Sequence, residues 1–87
     1  GKMNTEQNYK DYLSARYRIK DEAMLERVIT DMKRVLHNEK VNKLGLTVQF
    51  PVMEKVSQIV SELLQEQGYI VHEEFNYVYN MLIVRKP

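Results

Sequence analysis

The sequence predicts an α+β fold, with amphipathic helices packed on one face of a three-stranded mixed sheet in the order α-α-β-α-β-β. Three observations predict it. Residues 21–38 and 52–67 repeat apolar side chains at three- and four-residue spacing, the period of a helix lying on a core. Residues 45–50, 69–75 and 78–85 alternate or are rich in β-branched and aromatic residues, as strands are. Gly45, Pro51 and Gly68 stand at the boundaries between these stretches, where turns and helix ends need them.

The first helix is expected over residues 5–18. Thr5 can cap it, and Glu6 places a negative charge in the first turn, where the helix dipole favours one. Tyr9, Tyr12, Leu13 and Tyr17 make an aromatic stripe at helical spacing. Asp21 starts the second helix, whose face is Met24, Leu25, Val28, Ile29, Met32, Val35 and Leu36. Its charge pairing is mixed: Asp31 can meet Arg34, while Glu22 and Glu26 repel.

Residues 39–45 read as a polar connection. Leu46, Val48 and Phe50 then alternate with Thr47 and Gln49, a strand that Pro51 stops while opening the next helix. That helix buries Val52, Val56, Ile59, Val60, Leu63 and Leu64, and Gly68 terminates it. A two-residue turn at Asn76-Tyr77 would set Val71 opposite Leu82 and Tyr69 opposite Val84. Asn76 tolerates positive φ, but Tyr77 suits that turn poorly, which favours a longer loop.

Eighty-seven residues make one domain, 1–87, with residues 1–4 expected to be disordered or an expression scar. A chain this short buries roughly 60–65% of its unfolded surface, too little to carve a deep enzyme cleft easily. It has no cysteine, which removes disulfides, thiolate zinc sites and a cysteine nucleophile together, and leans towards a cytoplasmic location. No apolar run approaches the roughly 20 residues of a membrane span. Net charge is +1, divided as +3 over residues 1–43 and −2 over residues 44–87. Neither half has the basic excess of a dedicated nucleic-acid binder.

Few residues offer chemistry. His72 shares a strand face only with Glu74, and two ligands do not close a metal site. His37 ends a helix. Ser14, Ser57 and Ser61 lie on helical patterns, outside any nucleophile elbow, and no glycine-rich phosphate loop is present. The expectation is a protein that is not an enzyme and uses no cofactor or metal.

The candidates for binding are Tyr9, Tyr12, Arg16, Tyr17 and Arg18 in the N-terminal segment, and Tyr77 and Tyr79 in the hairpin. Tyrosine buries area while keeping a polar tip, so it suits interfaces. For Tyr9, Tyr12 and Tyr17 the competing reading is that they dock the first helix on the rest. Lys10, Arg16, Arg18 and Lys20 interleave with these tyrosines and could meet RNA or an acidic protein. A winged-helix reading also arises from the terminal hairpin. The outer side of helix 52–67 opposes it, since Glu54, Glu62 and Glu66 outnumber Lys55 where a DNA reader needs cations.

The run Leu46-Thr47-Val48-Gln49-Phe50, the helix ending in Leu64 and Gly68-Tyr69-Ile70-Val71, and a closing apolar strand form a recognisable pattern. It resembles small tailed-phage α+β proteins over about half of the chain. Ile83-Val84-Arg85 stands where those proteins often carry a closing aromatic. The resemblance implies a virion part or a host-directed modulator, and no functional residue carries over. The reading is therefore a small protein-interaction module that binds a host or virion protein, with no membrane partner and with a homodimer open. The alternative is a nucleic-acid-binding domain that uses the basic, tyrosine-rich N-terminal segment.

Overall fold

The computed structural model describes residues 5–87, so the expectation for residues 1–4 lies outside it. The chain runs α1 (Thr5–Tyr17), α2 (Glu22–Leu36), α3 (Glu39–Asn42), β1 (Val48–Val52), α4 (Glu54–Glu66), β2 (Ile70–Phe75) and β3 (Asn80–Arg85). The class is α+β, as the periodicities predict. The helices cover one sheet face, and Phe50, Val52, Leu82 and Val84 point into the shared core with Leu13, Val28, Val35, Val56, Val60 and Leu64.

Local chemistry sets most boundaries. The Asp21 carboxylate accepts from Ala23 N at 2.9 Å and starts α2. Arg18 adopts φ 56, a left-handed residue that ends α1 and separates it from α2. Gly68 at φ 96 ends α4, the conformation a helix C-terminal glycine supplies at little cost.

The sheet is antiparallel throughout rather than mixed, in the order β1-β3-β2. β1 and β2 run the same way, but β3 lies between them, so they never pair. The strand–helix–strand unit therefore crosses over a strand that the chain adds last. Pro51 sits inside β1 instead of ending it. An edge strand paired on one side only tolerates a residue with no N–H.

The hairpin register differs from the two-residue turn by two positions, pairing Val71 with Val84 and Phe75 with Asn80. Residues 76–79 form the loop. A slip of two keeps every side chain on its predicted face, because the strand period is two. Residues 39–45 also hold one helical turn, α3, which Asn38 caps at Val41 N (3.0 Å). Buried Val41 anchors it. The Asn42 amide donates to Val35 O at 2.8 Å and receives Tyr69 Oη at 2.5 Å, so this turn ties α2 to the start of β2.

Candidate partner-binding surface

Four of the five N-terminal candidates are committed to packing or internal contacts. Leu13 is fully buried and seats α1 on the core. Around it, the Arg16 guanidinium bonds Glu62 at 3.0 Å and also reaches Glu66, both on α4. The same group lies over the Tyr17 ring at 4.9 Å, and Tyr17 Oη donates to Glu62. Tyr9 is half-buried against the core and stacks with Tyr12 at 5.9 Å, their planes 27° apart. Tyr12 Oη accepts from Arg16 at 2.7 Å. Tyr9, Arg16 and Tyr17 tie α1 to the core and to α4, as the docking reading has it, whereas Tyr12 is 48% exposed and its ring and hydroxyl meet Tyr9 and Arg16 of its own helix. Arg18 is exposed and makes the bend.

The electrostatics agree. The Arg16 hydrogen bond holds the Glu66 carboxyl below its ordinary value. Burial, followed by the hydrogen bond to Glu62, raises Tyr17 above that of a free phenol. Lys10, on the opposite side of α1, reaches Glu22 at 2.5 Å and Glu26 at 3.3 Å. Lys33 meets Glu6 at 3.1 Å, and Arg27 and Arg34 flank buried Asp31 at 3.8 and 3.0 Å. Desolvation raises Asp31 despite both arginines, and its Oδ2 has no hydrogen-bond partner. Of the cations between residues 10 and 34, Arg18 and Lys20 alone have no ion-pair partner among the described residues.

The hairpin candidates differ. Tyr77 is fully exposed and Tyr79 partly so, and they bracket Val78, which is 85% exposed. Phe75 shares the inward face of β2 with Val71 and Glu73, yet is 77% exposed. Phe75 thus lies beside the start of α4 without being covered by it, and the loop at 76–79 is open to solvent. Exposed Met53, between β1 and α4, joins Tyr79, Pro51, Arg27 and Arg34 around a groove of about 250 Å³. Beyond the tip, Met81 and Ile83 on β3 are half-buried and Ile70 is exposed on the sheet face opposite the helices.

Phe75, Val78 and Met53 were not among the sequence candidates. The two-residue turn that sets Val71 opposite Leu82 also sets Phe75 opposite Val78 and hides both. The poor fit of Tyr77 to that turn was the signal that could have exposed them.

Among the described residues no group of three histidine or acidic side chains is placed to hold a metal ion. No helix among them is long and apolar enough to cross a membrane. Comparison with family models, curated proteins and solved structures finds no match for this chain.

Proposed function

We propose that this protein is a small non-enzymatic interaction module that captures a partner protein with the tip of its β2–β3 hairpin. One observation carries the reading. Phe75, Tyr77 and Val78 lie within four residues and are more than three-quarters exposed. Large side chains of this kind cost solubility on a monomer, and clustered they mark contact surfaces. Aromatic residues at such a tip supply the rigid area on which hot spots are built.

The perturbed ionisable groups support a role without catalysis. Tyr9, Lys10, Arg16, Tyr17 and Glu66 serve the packing of α1 on its neighbours, and Asp31 pairs with Arg27 and Arg34 of its own helix. Within the phage resemblance, the partner is a host or virion protein.

Affinity capture from lysate of the native host cell tests the reading. The wild-type chain is compared with a Tyr77→Ser/Val78→Ser variant. The variant keeps its melting temperature, because exposed loop substitutions change stability by about 0.5 kcal/mol or less. It is expected to lose a protein that the wild type retains. Equal capture by both would sink the proposal.

A further inference from the structure

Beside the hairpin tip lies a pocket of about 610 Å³ lined by Glu54, Gln58, Glu73, Phe75 and Asn80. Resting on the proposed function above, we propose that it receives a basic side chain of the same partner protein, arginine in preference to lysine.

The pocket forms where three elements meet. Glu54 and Gln58 come from the first turns of α4, Glu73 and Phe75 from the inward face of β2, and Asn80 from the first position of β3. Neither Glu54 nor Glu73 has a basic partner among the described residues. Glu73 accepts a hydrogen bond from the buried Ser57 hydroxyl, which fixes the carboxylate without neutralising it. Two carboxylates thus line one cavity with no counter-ion.

Asn80 supplies the second, independent observation. Its side chain is 1% exposed and its Oδ1 has no hydrogen-bond partner. A buried amide without partners is costly, and almost all such groups are satisfied in folded proteins. Its place in the register, between Val52 and Phe75, turns it towards the helix side at the pocket wall. A donor at the Asn80 end of the pocket, met by a turn of the amide, would satisfy this oxygen.

The requirements specify the occupant. An anion would meet two carboxylates, and Glu54 already answers the helix N-terminus with negative charge. A metal ion would find too few ligands. A guanidinium offers several donors in a planar fork, matching two carboxylates and an amide oxygen, and its face can stack on the exposed Phe75 ring. The negative charge of the C-terminal half, set against a basic side chain beside an apolar patch, gives the partner a definite chemistry.

The test is an NMR titration of the full chain with N-acetyl-L-argininamide, using the neutral citrulline analogue as control. Arginine is expected to shift the Asn80 side-chain amide and the backbone amides of residues 54, 58 and 73 along a saturating curve. A millimolar midpoint fits one charged contact without the rest of the interface. Citrulline should bind at least tenfold more weakly. Glu73→Gln keeps an acceptor for Ser57 and, combined with Glu54→Gln, should weaken arginine binding several-fold while the rest of the spectrum holds. In affinity capture the same double variant should retain less partner.

No shifts up to the solubility limit would overturn the proposal, as would equal shifts with citrulline or an unchanged titration of the double variant. If Tyr77→Ser/Val78→Ser loses the partner while Glu54→Gln/Glu73→Gln retains it fully, the tip reading stands and the pocket inference fails. If both variants retain it, the tip reading itself fails.

Discussion

Arg16 shows how one side chain can be drawn away from a binding role. It joins Glu62 and Glu66 on α4 to Tyr12 and Tyr17 on its own helix. Glu66 lies below its ordinary value of 4.5, so its contribution to stability is present above that value and is lost as pH falls through the depressed folded one. Tyr17 is raised above 10.0, so its contribution is present below that pH and is lost as pH rises through the folded value. The clamp between α1 and α4 is therefore intact across the neutral range and weakens at both extremes. Arg16→Met is expected to lower the melting temperature at pH 7 and to change it less at a pH low enough to protonate Glu66. An equal drop at both pH values would show that Arg16 acts through packing alone.

Helix ends and turns decide where each element stops. Arg18 and Gly68 both carry positive φ, but Gly68 alone does so without a Cβ penalty. Gly68→Ala is expected to cost about 1 kcal/mol, and Arg18→Gly to gain up to about 1 kcal/mol, both read from urea unfolding. Stabilisation by Arg18→Gly with partner capture unchanged would also place Arg18 outside the interface.

The elements with a strong period were legible: α2, α4 and the two hairpin strands follow apolar spacing that no local feature contradicts. Three things were not. Strand order depends on β3 inserting between β1 and β2, a tertiary choice that no local pattern encodes, so the antiparallel arrangement of β1-β3-β2 was read as mixed. The apolar tip depends on loop length. Phe75 reads as a paired core residue until residues 76–79 are known to form a four-residue loop. At the first helix the aromatic stripe was plain, but its destination was not. A tyrosine at an interface and a tyrosine docking a helix have the same spacing, and Glu62 and Glu66 lie about fifty positions away in sequence.

The whole molecule is a thin slab, with Cα extents of 35 × 34 × 16 Å, made of one helix layer and one sheet. A two-layer fold of this size covers only one face of its sheet. Gln49, His72 and Glu74 keep much of the other face polar around half-buried Met81 and Ile83, and Pro51 blunts the β1 edge. The hairpin tip has no comparable protection. Among the described residues, five of the seven cations between residues 10 and 34 are held in ion pairs, while Glu54 and Glu73 have no cation partner beside that tip. The end built from the loop at 76–79 and the start of α4 is therefore the one we propose as the interacting end.

Site-specific photocrosslinking tests that claim most directly. A benzoylphenylalanine replaces Tyr77 in one protein, Tyr12 in a second and Thr30 in a third, and each is irradiated in native host lysate. Position 77 is expected to give a discrete protein adduct that excess unlabelled wild-type chain suppresses, with none from positions 12 and 30. An adduct at position 12 or 30 with none at position 77 would contradict the account and return the interface to the N-terminal helices.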